Sequence, residues 1–178
     1  FDKQTWKYNE NNVLLEEAYY QYYTENNKEY LYPIHHYFYT YKDNLLVEKS
    51  TEVKGVIVYY KTQYLYDDKQ NLVREVDLKR GNDDEFYLIK MTAFKYNDQN
   101  KVTEKKVEDF YYNDFDNSYE KWTYYLNGEL ESYTNYEKND LNILVPHKKE
   151  AFEYNPTELS TTKSYLYFNE EINDWELD

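Results

Sequence analysis

Apolar and polar positions alternate with a period of two along most of the chain, as in "KVEDFYY" and "FYLIKMTAF". This is the pattern of a strand with one face on a packed surface and the other toward water. Helical spacing is nowhere sustained. "NNVLLEEAYYQYY" comes nearest, and its place in the repeat described below assigns it to a strand as well. Turn residues separate the alternating runs at Asn26-Asn27, Lys54-Gly55, Gly81 to Asp84, Asn113 to Asn117, Lys138 to Asn142 and Asn173-Asp174. Asn, Asp and Gly dominate there because they reach left-handed backbone conformations at little cost. The pattern predicts about thirteen strands joined by hairpins, over 3–8, 13–23, 29–41, 46–53, 56–66, 72–80, 86–96, 102–112, 119–126, 130–137, 143–154, 159–168 and 174–178. Pro33 and Pro146 fall inside strand-like runs. They are expected at irregular or edge positions, because proline cannot donate to a ladder.

The alternation is itself periodic. In "FKYNDQNKVTE" (94–104) an aromatic-x-Tyr step runs into a polar turn and then an aliphatic residue. With Tyr96 as anchor, the same step recurs at Tyr8, Tyr41, Tyr66, Tyr124 and Tyr154, spaced by 33, 25, 30, 28 and 30 residues along the six anchors. Two positions before each anchor stands another ring: Trp6, Tyr39, Tyr64, Phe94, Trp122 and Phe152. Residues two apart share a strand face, so each copy sets two rings side by side. Asn12, Asn100 and Gly128 follow their anchors by four residues, and Leu14, Val102 and Leu130 follow by six. The third copy shifts its Asn to Asn71, the second is one residue short, and the sixth loses the small turn residue. Self-similarity at this period predicts one array of β-hairpin repeats over 1–178.

Composition sharpens this picture. Tyrosine supplies 26 of the 178 residues and aromatics 21 %, side chains that suit a pleated surface and, for Tyr, keep a polar end for water. The mean hydropathy is −1.12, and no apolar run approaches the ~18 residues of a spanning helix. A net charge of −14 argues against nucleic acid and anionic membrane surfaces, which need clustered Lys and Arg. Absence of cysteine removes disulfide and thiolate chemistry. The chain starts at Phe1 and its one methionine is Met91, so a processed or truncated product is expected, with any signal peptide upstream.

"YDDKQNL" and "YLNGEL" resemble the tyrosine-aspartate (YD) repeats of Rhs- and teneurin-type proteins, which run roughly Tyr-Asp-x-x-Gly-x-Leu. The first keeps Tyr66, Asp67 and Leu72; the second keeps Tyr124, Gly128 and Leu130, with Tyr125 in place of the aspartate. "YEKWTYYLNG" and "INDWELD" are similar to the degenerate versions in secreted surface proteins of Bacteroidota. The resemblance spans the chain and implies extracellular antiparallel β-scaffolding without catalytic residues. With only three glycines, the expected fold is all-β: an antiparallel meander of about thirteen strands in an open twisted sheet, or curled into a partial barrel or sandwich.

Candidate chemistry is sparse. His35 and His36 are adjacent, so on a strand they face opposite ways and would not chelate one metal together; His147 has no evident partner. Asp114, Asp116 and Ser118 alternate as calcium-donating oxygens could, although acidic residues also simply favour hairpin turns. Pairs of carboxylates suited to glycoside hydrolysis arise by chance among 35 acidic residues. No phosphate loop, nucleophile elbow or zinc motif occurs, and the chain is read as non-enzymatic and without cofactor.

The aromatic-x-Tyr pairs are read as the packed surface between strands. Rings available for a ligand are expected on the opposite face or near loops, at Tyr19, Tyr22, Tyr59, Tyr111 and Tyr133. "FDKQTWKYN" matches the second half of "FDNSYEKWTYYLN", and "INDWELD" stops where an anchor strand would begin, so both ends read as open half-hairpins. The expectation is a secreted or surface-displayed structural or adhesion module that adds strand to strand with other copies of itself or a cell-surface protein. The alternatives are a module recognising carbohydrate or protein through aromatic rows, and a small barrel around an apolar ligand.

Overall fold

The computed structural model describes residues 3–26, 28–53, 56–111, 118–139, 141, 143–155, 160–169 and 171–177. It is all-β, with thirteen strands: β1 (Lys3–Tyr8), β2 (Leu14–Glu25), β3 (Lys28–Lys42), β4 (Leu45–Val53), β5 (Val56–Tyr66), β6 (Leu72–Arg80), β7 (Phe86–Tyr96), β8 (Val102–Asp109), β9 (Ser118–Tyr124), β10 (Leu130–Lys138), β11 (Leu144–Asn155), β12 (Ser160–Asn169) and β13 (Asp174–Leu177). They form one antiparallel meander in chain order, with β1 and β13 at its two ends. The expected fold class, an all-β antiparallel meander of thirteen strands, is therefore the observed one. Two compact units, Phe1–Met91 and Thr92–Asp178, divide the chain within β7, and each is described by itself.

The anchors stand at the end, or one residue before the end, of the odd-numbered strands from β1 to β11. Tyr8 and Tyr66 in the first unit, and Tyr96 and Tyr124 in the second, each close a strand before a shared five-residue loop. In that loop the first residue donates its N–H to the carbonyl of the fifth, and the fourth donates back to the first. Asn9 with Val13 (3.0 Å), Asp67 with Asn71 (3.0 Å), Asn97 with Lys101 (3.0 Å) and Tyr125 with Glu129 (2.9 Å) are the first bonds. The fourth residue is left-handed: Asn12, Gln70, Asn100 and Gly128, with φ of 59°, 65°, 58° and 84°. In the third copy Gln70 takes this position, and Asn71 instead donates its side-chain amide to Asp67 Oδ2 at 3.0 Å. In three of these loops the first residue's side chain seals the loop as an Asx turn. Asn97 Oδ1 accepts from the amides of Gln99 and Lys101, both at 3.0 Å, and Asn9 and Asp67 do the same. Asn139, between β10 and β11, reuses the device. The short second copy makes a two-residue turn through Asp43 and Asn44, both with positive φ (51° and 64°), the primed turn that matches strand twist.

Four of the repeat hairpins then slip by one residue just after the anchor, whereas the sixth, with Tyr154 opposite Thr161, runs in continuous register. Tyr8 opposes Leu14 but Lys7 opposes Glu16, leaving Leu15 as the extra residue. Val47, Val73 and Glu131 are extra in the same way. A bulge of one residue reverses which side chains of the return strand share the anchor's face. Beyond it, Trp6 opposes Glu17, Tyr39 opposes Lys49, Tyr64 opposes Glu75 and Trp122 opposes Tyr133.

The anchor face is aromatic with these few polar insertions. Among the described residues, Ala18 is the one buried hydrophobic, and the other buried residues are Ser50, Thr92, Ser132 and Thr134. The expectation of a ring-to-ring core is corrected in degree: Tyr39, Tyr64, Tyr66, Trp122 and Tyr124 are half-buried, and Trp6, Tyr8 and Tyr154 are exposed. A single sheet shields a ring only from its sides. Hydrogen bonds add to the lateral cohesion, with Tyr66 Oη donating to Leu46 O and Tyr124 Oη to Val102 O, both at 2.9 Å. Cross-strand ion pairs also keep neighbouring strands together, Lys61–Glu48 (3.4 Å) on the other face and Lys105–Glu120 (2.8 Å) on the anchor face beside Trp122, each a weak contribution while solvated.

Candidate functional site

The hairpin of β2 and β3 departs from the rest of the sheet. Among the described residues, pairing of β1 with β2 runs to Lys3 opposite Tyr20 and pairing of β4 with β3 to Val53 opposite His35, and Gln21–Glu25 pair with Lys28–Tyr32 in the outer arm of the hairpin. Its base is marked by Pro33 and by a slip that leaves Ile34 extra between Tyr19 and Tyr20, where the missing proline N–H breaks no ladder.

One face of the arm carries three successive cross-strand pairs: Gln21 with Tyr32, Tyr23 with Tyr30, and Glu25 with Lys28. A concavity of about 590 Å3 is lined by Gln21, Tyr22, Tyr23, Glu25, Tyr30 and Tyr32. The four rings are exposed at 49–57 %.

A second polar cluster lies on the anchor face. Glu17 accepts from Gln4 Nε2 (2.8 Å), Trp6 Nε1 (3.2 Å), Tyr19 Oη (2.7 Å) and Tyr39 Oη (3.1 Å), tying β1, β2 and β3 together. The Tyr19 hydroxyl, above all, holds the Glu17 carboxyl below its ordinary range despite some desolvation. Tyr39 is raised well above the usual phenol value, first by burial and then by Glu17. Glu75 lacks such donors: desolvation and the neighbouring Asp77 raise it.

The five ring candidates separate in the structure. Tyr22 stands on the strand face opposite to its anchor by alternation, Tyr59 turns its ring to within 4.7 Å of that of Tyr60 and 5.4 Å of Lys79 Nζ, on the anchor side, and Tyr111 is exposed beyond the end of β8. Tyr22 alone of the five lines the arm's concavity. Tyr19 and Tyr133 are corrected. Tyr19 bonds Glu17 beside Trp6, and its ring meets Tyr37 edge-on at 5.9 Å. Tyr133 opposes Trp122, with ring centres 5.4 Å apart. Both belong to the anchor face, because the bulges at Leu15 and Glu131 reverse the alternation.

Asp114 and Asp116 lie outside the described residues, and Ser118 begins β9. Among the described residues, no three His, Cys, Asp or Glu side chains are grouped to hold a metal ion. His35 and His36 do face opposite ways. His36 lies between Glu16 (3.5 Å) and Glu52 (3.8 Å) and against the Phe38 ring at 4.1 Å, while His35 stacks on Tyr37. His147 approaches Glu137 at 3.7 Å. The arm was missed in the sequence, although it left a trace there: "YYQYY" and "EYLY" place rings at consecutive or both-face positions, where a sheet-bound strand would alternate.

No protein-family model and no curated protein matches the chain. Several solved structures are similar at low level. A protein of unknown function from Bacteroides fragilis NCTC 9343 is 15 % identical, with 80 % of this chain and 86 % of that one covered and a TM-score of 0.33. A DUF3836 family protein from Bacteroides vulgatus ATCC 8482 is 13 % identical over 67 % and 90 %, with a TM-score of 0.26. A chain of the TcdB2-TccC3-Cdc42 structure is 10 % identical over 96 % of this chain and 12 % of that one, with a TM-score of 0.41. At these values the likeness brings neither ligand nor activity to this chain, whose β-repeat character rests on its own hairpins.

Proposed function

We propose that this is a non-enzymatic module of a secreted or surface-displayed β-repeat protein of YD type, structural or adhesive in role, that extends by adding strands at its sheet edges. The observation that supports this most is the pair of edges itself. Among the described residues the outer sides of β1 and β13 have no strand partner, and such edges are templates for pairing. Their charges are complementary: β1 carries Lys3 and Lys7, and β13 carries Asp174 and Glu176. Setting β13 of one copy beside β1 of the next, turned over so that the two strands run antiparallel, extends the sheet head to tail, a heterologous contact that propagates. The YD reading has a physical basis in "YDDKQNL", where Tyr66 ties its copy to Leu46 O and Asp67 seals the loop.

Light scattering after size exclusion, over a hundredfold range of concentration, tests the proposal. Growth into open-ended species, reversed in a Lys3→Glu/Lys7→Glu variant, is the expected result. A 22.1 kDa species at every concentration would refute self-assembly.

A further inference from the structure

We infer that Tyr119 and Tyr136 are a site of oxidative modification, at which a one-electron oxidant of the peroxidase class joins the two rings into a dityrosine that staples β9 to β10. This goes beyond the reading above: it concerns a covalent bond within one unit and is independent of the sheet edges.

The chain has 26 tyrosines and no cysteine, so a disulfide cannot fasten its strands, whereas coupled phenols can. Tyr119 and Tyr136 stand directly opposite each other in the β9–β10 pair. Their ring centres are 4.9 Å apart, with planes inclined at 54°. The unpaired electron of a phenoxyl radical lies in π orbitals, so coupling at the carbons beside the phenol oxygen needs ring faces that partly overlap. An inclination of 54° leaves that overlap. Tyr59–Tyr60 and Tyr19–Tyr37 meet edge-on instead, at 80° and 90°, with the face of one ring turned to the edge of the other. Both rings of the Tyr119–Tyr136 pair are half-buried and flanked in register by Lys106 of β8 and Pro146 of β11.

Glu104 supplies the second requirement, a place for the proton. The Tyr119 hydroxyl bonds the Glu104 carboxylate, which also meets Lys95 Nζ at 2.7 Å. The Lys95 contact, above all, holds that carboxyl below its ordinary range and so ionised. A phenol becomes a far stronger acid on losing an electron, and a carboxylate within hydrogen-bond reach takes its proton. Each phenol gives one electron to the oxidant and one proton, from Tyr119 to Glu104 and from Tyr136 to solvent. The two radicals then form one C–C bond between ortho carbons, and the hydrogens on those carbons move to the oxygens, restoring both phenols. With peroxide as terminal oxidant, the two electrons and two protons end in two molecules of water.

Brief photo-oxidation of dilute protein with tris(bipyridyl)ruthenium and persulfate, a small one-electron oxidant, tests this. Dityrosine fluorescence of the monomer band and mass spectrometry of its proteolytic peptides are the readouts. The expected product is a joined pair of peptides bearing Tyr119 and Tyr136, lighter by two hydrogens than the two apart. That product is lost in Tyr119→Phe and in Tyr136→Phe, which keep the ring, and persists in Tyr59→Phe. Because the bond closes the hairpin into a covalent loop, the oxidised monomer is expected to melt above the untreated protein, a gain absent in Tyr136→Phe. Glu104→Gln is expected to slow coupling near neutral pH and to recover at about pH 10, where hydroxide takes the phenol proton, with an unchanged circular dichroism spectrum. Dityrosine only between chains, a bond mapped to Tyr59–Tyr60 or other rings, or wild-type yield in either Phe variant at the pair would overturn the site. Coupling in Glu104→Gln at the wild-type rate at both pH values would overturn the proton path. Cross-linking reads one hairpin within a monomer and light scattering reads the edges, so failure of one leaves the other standing.

Discussion

Replacing Asn97 by alanine isolates the loop that defines the repeat. Asn97 Oδ1 is the shared acceptor for two amides, Gln99 N–H and Lys101 N–H, each at 3.0 Å. A hydrogen bond of this kind contributes about 0.5–1.5 kcal/mol net, and the loop is solvated, so water recovers part of what the amides lose. The expected cost is therefore about 1–2 kcal/mol, near that of removing a helix cap, which is the same chemistry. For a chain of this size each kcal/mol lowers Tm by about 2–4 °C. The companion variant is Asn97→Asp. Asp67 holds the equivalent place with the same two amide bonds, to Lys69 at 2.9 Å and Asn71 at 2.8 Å, so aspartate at 97 is expected to preserve wild-type stability at pH 7. Urea denaturation followed by Trp fluorescence and circular dichroism measures both. Alanine as stable as wild type, or aspartate as damaging as alanine, would refute the claim that this acceptor shapes the hairpin.

Two further outcomes rest on titration. Desolvation and Asp77 raise the Glu75 carboxyl, so its charge opposes folding at neutral pH and that opposition fades as pH falls through its raised value. Glu75→Gln is expected to raise Tm at pH 7 and to lose most of this advantage near pH 4; a lower Tm at pH 7 would contradict it. At the other end of the scale, burial first, then Glu104, pushes Tyr119 up to about 12 from its ordinary value of 10.0. Its contribution is complete below pH 10 and is lost as pH rises through about 12. Phenolate absorbance and circular dichroism are expected to change together in that window, and to separate upward in Tyr119→Phe; if all tyrosines ionised near pH 10 with an intact spectrum, the reasoning would fail.

The number and kind of strands were legible because a period of two is a local property, visible in "FYLIKMTAF" without knowledge of any partner. The loops were legible too, since Asn9, Asp67 and Asn97 bond to amides only two and four residues away. Alternation broke down at the bulges. Counting from Leu14 or Leu130 puts Tyr19 and Tyr133 on the wrong face, because Leu15 and Glu131 look like ordinary strand residues and become extra only through their pairing with β1 and β9.

The sequence by itself thus determined an all-β hairpin meander, the position of every anchor, and the turn chemistry that joins the strands, all from interactions within a few residues. The tertiary structure decided two other matters: which face each ring occupies and how deeply the rings are covered. Each depends on what lies across the sheet. Register is a relation between two strands, and burial in a single layer comes only from lateral neighbours.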